Sequence, residues 1–335
     1  MTCYPLILYP SDAMNEKLEK MIVGVDLGGS KIKTILSDSD GNIKQRDLRD
    51  TFAYEGPDAV IKRIIESIKQ VASGAEISKM AGIGIGAAGA CDVATGVITL
   101  SPNLPGWHNI PLKGILQREF DLPVYLENDA TAAALGEHRF GGAVGIANLI
   151  YVCVGTGIGG GIMIDGQLYH GISGSAGEIG HMTIDINGPR CSCGNFGCWE
   201  TLASGTALAR EAVKRIEAGA QTSILNFADG QLQKVSAHRV YLAAREGDRL
   251  ANELISQTAH YLGVGLVNIV NIFNPQLILI GGGLSRMGQL LLEPANKVVR
   301  ERAYELPARA VRIELARLGA DAEALGAAAL VLESS

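Results

Sequence analysis

Apolar positions recur along this chain in two rhythms. Residues 21–29, MIVGVDLGG, form a short β-branched run that ends in glycines. The SKIKTILSDSDGNI stretch after it predicts a second strand closing in a turn at Asp40-Gly41-Asn42. From Pro57 to Ala72 the spacing changes, and Val60, Ile64, Ile65, Ile68 and Val71 fall on one helical face. AGIGIGAAGA then predicts a buried strand running into a glycine loop, Leu122 to Leu126 a short strand, and DATAAALGEHRFG a helix. The middle of the chain repeats its beginning. LIYVCVGTGIGGGIMIDGQLYHG has the layout of IVGVDLGGSKIKTILSDSDGNI: apolar strand, glycine loop, second strand, polar turn. Helices are predicted at 207–217, 235–246 and 249–270, then a strand, LILI, with a third glycine loop, GGGLS. The last segment, GADAEALGAAALVL, again sets an acidic residue before an alanine-rich helix, and two such helices can approach closely because small side chains leave little standoff. A duplicated α/β architecture follows, with a cleft between halves and a boundary near Asn128.

Length supports two domains, since 335 residues at roughly 150 per domain gives about two. Lys and Arg number 29 against 35 Asp and Glu, and the net charge of −6 carries no basic footprint for nucleic acid or an anionic membrane. Two uncharged stretches, Phe140 to Ile164 and Leu262 to Ser285, exceed the roughly 18 residues that could cross a bilayer. The first is interrupted by Asn, Thr and Gly, and the second by Asn, Gly and the Asn274-Pro275 break; their short β-branched runs read as buried strands. Residues 1–20 read as an N-terminal extension, and MTCYPLILYP lacks the basic region of a secretion signal. The expected setting is cytoplasmic. Glycine is the compositional outlier, 42 of 335 residues against a typical ~7%. Such an excess without a collagen period implies tight turns or backbone brought close to a ligand.

Gly155-Thr156-Gly157-Ile158-Gly159-Gly160 matches the G-x-G-x-x-G dinucleotide fingerprint, which requires a helix directly after the loop. Here Ile162-Met163-Ile164-Asp165-Gly166 continues as a hairpin strand, and no Gly-Lys-Ser/Thr of a P-loop exists. What remains is a pair of hairpins whose glycine tips, Gly28-Gly29-Ser30-Lys31 and Gly155 to Gly161, could face each other across the cleft. Consecutive backbone N–H groups at such tips make a concavity suited to phosphate.

Three of the six cysteines, Cys191, Cys193 and Cys198, fall within eight residues, with His181 ten residues upstream. Three thiolates and one imidazole complete a tetrahedral zinc shell with no open position. The other nitrogen of His181 would be free to face a hydroxyl, and Glu178 and Glu200 would converge on the same spot, where carboxylates suit a ligand with several hydroxyls. Asp129 has two readings at the start of its helix: an N-cap, or a carboxylate that takes a proton during phosphoryl transfer.

Taken together, Asp26-Leu27-Gly28-Gly29-Ser30-Lys31, Glu127-Asn128-Asp129-Ala130, Gly155 to Gly161 and the C-x-C-G-x-x-G-C-x-E pattern ending at Glu200 resemble the ROK (repressor, ORF, kinase) family of bacterial sugar kinases. The similarity runs from about Met21 to the C-terminus. It implies an actin-like ATPase (ribonuclease H-like) fold with two related α/β domains around a central cleft. These would be residues 21–128 with the C-terminal helix at about 320–335, and residues 129–319 with the zinc loop. The resemblance implies that Asp26, Gly28, Gly29, Ser30, Lys31, Gly155, Thr156, Gly157 and Gly159 hold the ATP phosphates with Mg²⁺. Gly281, Gly282 and Gly283 would lie by the adenosine. It further implies structural Zn²⁺ on His181, Cys191, Cys193 and Cys198. Asn103, Asn128, Asp129, Glu178, His181 and Glu200 would contact the sugar, with Asp129 as general base. Glucose is the expected substrate, with N-acetylmannosamine, N-acetylglucosamine, fructose and allose as alternatives, and a sugar-responsive regulator as a third reading. A homodimer or tetramer is expected. Two departures stand out: Gly86-Ala87-Ala88-Gly89-Ala90 replaces the family's usual Gly-x-Pro-Gly-Pro, and Ser30 stands where Thr is commoner.

Overall fold

The computed structural model describes residues 20–75 and 80–333. The expected N-terminal extension, apart from Lys20, and Cys3 with it, lies outside the described residues. β1 (Ile22–Leu27), β2 (Lys31–Ser37) and β3 (Ile43–Asp50) form an antiparallel meander. α1 (Pro57–Val71) leads to β4 (Gly82–Ala87), which returns parallel to β1. A small sheet of β5 (Ala90–Asp92), β6 (Val97–Leu100) and β7 (His108–Ile110) and helix α2 (Leu112–Phe120) precede β8 (Val124–Asn128), parallel to β4. α3 (Asp129–Phe140) crosses to β9 (Leu149–Val154), β10 (Ile158–Ile164) and β11 (Gln167–Leu168). Then come α4 (Glu200–Ala203), α5 (Gly205–Glu217), α6 (Ile224–Phe227), α7 (Ala237–Arg245) and α8 (Arg249–Phe273). The chain finishes with β12 (Leu277–Gly281), α9 (Gln289–Arg302), α10 (Glu305–Ala310), β13 (Arg312–Leu315) and α11 (Ala322–Glu333).

Among the described residues the larger sheets have orders β3-β2-β1-β4-β8 and β11-β10-β9-β12-β13. Each is a three-stranded meander followed by two parallel strands, so the repetition in the sequence is a repetition of topology. β1 and β9 occupy equivalent places: each pairs antiparallel with the strand after it and parallel with a later one.

The alanine-rich helices α3 and α11 lie between the sheets. Their approach is at the limit of what backbone allows: a Cβ on Gly326 would fall 1.7 Å from the Ala132 carbonyl oxygen, and one on Gly136 2.7 Å from that of Ala322. α11 also rests directly on the first sheet, where Cβ atoms on Gly24 and Gly84 would meet the carbonyl oxygens of Ala324 and Ala327 at 2.1 and 1.7 Å. Side chains alternate across β1, so Val23 and Val25 point the other way, into a core with Val60, Ile64 and Ile68 of α1. On the second sheet Ile150, Val152, Ile278 and Ile280 pack against Leu254, Leu262, Leu266 and Ile269 of α8. β1, β4 and β8 run parallel, as do β9 and β12, and Cys153 near the end of β9 lies within electrostatic reach of Asp26 on β1 and of Asp129; carboxyl ends of strands are the usual place for a ligand in open α/β sheets.

Candidate active site

The first glycine turn is held from outside by backbone. Gly28 N–H donates to the Lys31 carbonyl at 3.0 Å, while the N–H and Oγ1 of Thr51 donate to the carbonyls of Ser30 (2.9 Å) and Gly28 (2.7 Å). A Cβ on Gly29 would sit 2.7 Å from the Asn103 carbonyl oxygen, so the segment carrying Asn103 leans on this turn. Lys31 makes an exposed ion pair with Asp50 at 2.7 Å.

The second turn is shorter than the sequence pattern suggested. It comprises Gly155–Gly157, closed by the Gly155 N–H to the Gly157 carbonyl at 3.0 Å. Gly159, Gly160 and Gly161 lie inside β10 instead. There Gly159 and Gly161 let the strand approach α3, a Cβ on Gly161 falling 2.7 Å from the Ala130 carbonyl oxygen, while a Cβ on Gly160 would fall 2.9 Å from the Gly177 carbonyl oxygen on the other face. The N-terminus of α5 sits on the turn, with the Gly205 N–H donating to the Gly155 carbonyl at 2.8 Å. The third loop bends at Gly282, whose φ of +78° is left-handed, and Gly283 beside it faces open space. Between the second and third loops lies a cavity of about 560 Å³. Gly155, Thr156 and Gly283 rim it, Ala209, Tyr241, Leu284 and Met287 give it an apolar wall, and His238 and Arg286 add polar groups. His238 and Tyr241 belong to no motif. Their one sequence signal is the i, i+3 spacing that puts them on one face of α7.

Carboxylates collect where β1, α3 and α11 meet. Asn128, not Asp129, caps α3: its Oδ1 accepts the N–H groups of Ala130 and Thr131 at 3.0 and 3.1 Å. Its Nδ2 donates to the Gly89 carbonyl at 3.2 Å. Asp129 is thereby spared the capping role, and its half-buried carboxylate accepts the N–H of Ala130 at 2.8 Å and is also hydrogen-bonded by the Asn128 side chain. Burial holds its pKa above the ordinary carboxylate value. Burial, with the charges of Glu323 and Asp129 adding to it, pushes Asp26 up to about 8. Lys33 works in the opposite direction and also donates to the Ala320 carbonyl at the start of the last helical segment. Glu323, at the start of α11, is raised by burial first and by Asp129. Sequence reasoning singled out Asp26 and Asp129 but not Glu323, which is distant in sequence and reaches the cluster only through the packing of α11.

The loop between β11 and α4 brings His181, Cys191, Cys193 and Cys198 together, with one ligand atom from each within 4.8 Å of the others. The Cys193 and Cys198 sulfurs are 3.7 Å apart, and Cys191 Sγ is 3.6 Å from His181 Nδ1. A tetrahedral shell with Zn–S near 2.3 Å spaces its ligands by about 3.8 Å, so the four atoms fit such an ion. Gly197 makes the tight loop possible: its φ is +63°, and a Cβ there would fall 1.6 Å from the Asp185 carbonyl oxygen. Burial, and the crowding of the other two thiols, push Cys198 up to about 12, a penalty on the thiolate that a bound cation would relieve.

Nδ1 of His181 faces the cysteines, and Nε2 lies 3.9 Å from Glu178 Oε2 on the other side. Glu200 Oε1 is 3.7 Å from His181 Nδ1 and 3.3 Å from Cys191 Sγ. Its Oε2 lies 2.6 Å from where a Cβ on Gly157 would be. One carboxylate thus touches both the cysteine cluster and the second glycine turn.

A model of the ROK family matches residues 22–334. The chain belongs to the ROK family. A glucokinase from Thermotoga maritima is 38% identical over 317 residues, covering 93% of this chain and 97% of its own. A xylose repressor from Caldicellulosiruptor bescii is 37% identical over 313 residues, covering 93% of this chain and 78% of its own. Among solved structures, a ROK glucokinase from Streptomyces griseus in complex with glucose and AMPPNP superposes with a TM-score of 0.84 at 35% identity, covering 93% and 99% of the two chains. The fold is therefore the actin-like ATPase fold that the motifs implied.

Proposed function

We propose that this ROK protein is an ATP-dependent hexose kinase that converts glucose to glucose 6-phosphate. The observation that carries this reading is the position of Glu200. It joins the cluster of Glu178, His181 and Glu200, suited to sugar hydroxyls, to Gly157, in the turn whose Gly155 and Thr156 rim the apolar cavity. Phosphoryl transfer needs donor and acceptor side by side and in line, and this contact supports a reading in which the sugar and the phosphates bind next to each other. In the proposed arrangement the adenosine fills the cavity beside Gly281–Gly283, and the phosphates lie along the turns at Gly28–Lys31 and Gly155–Gly157. Asp26 would hold Mg²⁺, which supplies charge neutralisation on the phosphates. Asn103, Asn128, Glu178, His181 and Glu200 bind the sugar. Asn128 already spends Oδ1 on the helix cap, and its amide donates to the Gly89 carbonyl and to Asp129, so it stands fixed beside the base. Asp129 accepts the proton of the attacking hydroxyl, and its raised pKa makes it a stronger base than a solvated carboxylate.

The four-ligand cluster holds a structural Zn²⁺. The proposed domains are residues 21–128 with the C-terminal helix, and residues 129–319, in a cytoplasmic homodimer. No helix among the described residues is long and apolar enough to cross a membrane. Glucokinase and repressor relatives are almost equally identical to the chain, at 38% and 37%, so identity alone does not separate them. The half-buried, uncapped carboxylate of Asp129 favours catalysis, because a sensor needs no proton acceptor. ADP release with Mg-ATP across a panel of hexoses is the test. Glucose as the best substrate is the expected result. Release with another hexose alone would move the assignment to that sugar, and binding without release would favour the regulator.

A further inference from the structure

Glu127 stands at the end of β8, directly before Asn128, and its side chain is only 2% exposed. A carboxylate so placed needs partners. It has two. Oε1 accepts the Asn128 backbone N–H at 2.8 Å, and Oε2 lies 2.6 Å from Nε2 of His170. His170 belongs to the other half of the repeat, just past β11, on the segment that runs to Glu178 and His181. Its carbonyl accepts the Ala176 N–H at 3.0 Å, which folds residues 170–176 into a closed loop. One buried carboxylate therefore holds the strand end that presents Asn128 and Asp129, and also the loop that leads to Glu178 and His181.

We propose that Glu127 and His170 are a positioning pair. They clamp the Asn128–Asp129 corner against the 171–178 loop, so that the sugar is gripped between the two, and the grip loosens when His170 loses its proton. This rests on the hexose-kinase reading above. The protonated imidazole gives a charge-assisted hydrogen bond, about twice as strong as its neutral counterpart, to a carboxylate that has little water to turn to. The hydrogen bond that His170 donates to Glu127, and the Glu127 charge, raise the His170 pKa above the ordinary 6.5 despite the opposing effect of burial. Glu127 on β8 is the charged group that acts on the ring. The Cys91 thiol on β5, which donates toward the Glu127 carbonyl at 3.9 Å, is pushed up to about 12 by burial and remains neutral. Asp129 interacts with Asp26, Glu323 and Cys91, whereas the charge acting on His170 is that of Glu127. The titration therefore belongs to the His170–Glu127 contact and is separable from that of the base.

The experiment is steady-state kinetics between about pH 5.5 and 8.5, with the hexose KM and kcat resolved separately, on the wild type, His170→Gln and Glu127→Gln. The glutamine at 170 keeps a donor and removes the titration. In the wild type the sugar KM should rise on the order of tenfold from the acid to the alkaline end, the scale of one hydrogen bond to a charged group. In both variants KM should be flat and close to the alkaline wild-type value. The kcat profile, set by Asp129, should be the same in His170→Gln as in the wild type. Parallel KM profiles in wild type and His170→Gln would overturn the proposal while leaving the kinase reading intact. If the wild type turns over no hexose, the kinase reading fails, and the pair is tested by hydrogen exchange of residues 171–178 corrected for intrinsic pH effects. Protection should fall with rising pH in the wild type and not in His170→Gln; identical protection in the two would overturn the clamp.

Discussion

Asp26→Asn separates what a buried charge does to the fold from what it does for a ligand. The carboxyl ionises at about 8 in the folded chain against 3.8 ordinarily, a difference of about 4 units. Because the folded value is the higher one, the folded state keeps a proton that the unfolded chain gives up. Stability is therefore greatest below the unfolded value near 3.8 and is lost as pH rises toward 8. At about 1.36 kcal/mol per unit the ceiling is ~6 kcal/mol. Asp26 is only half-buried, Lys33 offsets part of the repulsion, and water and side chains relax around the charge, so about 2–3 kcal/mol is expected. Asparagine has nearly the same shape and does not titrate. Urea unfolding between about pH 5 and 9, without nucleotide, should show a declining wild-type curve and a flatter one for Asp26→Asn. The variant should be the more stable by those 2–3 kcal/mol at the alkaline end. Mg²⁺ with a non-hydrolysable ATP analogue should restore the wild type at high pH and help the variant far less. Turnover should collapse in the variant even where its stability exceeds wild type. Parallel pH–stability curves for the two proteins would show that the Asp26 carboxylate is already solvated in the cleft, and would refute this account.

Asp129→Asn should retain fold and bound metal and lose about 10²–10⁴ in kcat, measured by ADP release; near-normal turnover would remove Asp129 from the role of base. Elemental analysis should find about one zinc per chain in the intact protein, and Cys198→Ser or a strong chelator should abolish it. The same change should raise the sugar KM far more than the ATP KM, because Glu178, His181 and Glu200 hang on that loop. Gly326→Ala must push α11 away from Ala132 and should cost at least the 1–3 kcal/mol typical of overpacking, read from chemical denaturation.

Much of this site was legible because the chemistry constrains neighbours in sequence. The cysteines crowd one loop, and glycines mark two hairpin turns. Asn128-Asp129 sits where a strand passes into a helix, though the residue types did not reveal which of the two would cap it. What escaped was built by packing. Glu323 joins Asp26 only because α11 returns across β1, and His238 and Tyr241 line the cavity through the placement of α7. The same holds for elements. β3, IKQRDLRD, has almost no apolar face because it is an edge strand that takes its place from β2, and α9 hid behind an internal Pro294. The second glycine turn ends at Gly157, and Gly159 and Gly161 beyond it also answer to the approach of α3; a close helix and a close ligand leave the same residue in the sequence.

The seat of α11 has a consequence for how the protein is made. The first sheet begins at Ile22, but the helix that covers one of its faces ends at Glu333. During synthesis that face, with Gly24 and Gly84 bare, must wait for nearly the whole chain to leave the ribosome. Such long-range closure is slow. A nascent chain stalled before Ala322 would expose an apolar sheet face, a natural client for chaperones and proteases. Cutting the protein at the middle of its repeat would leave the first half without its lid, so the ancestral-looking duplication is no longer two separable parts.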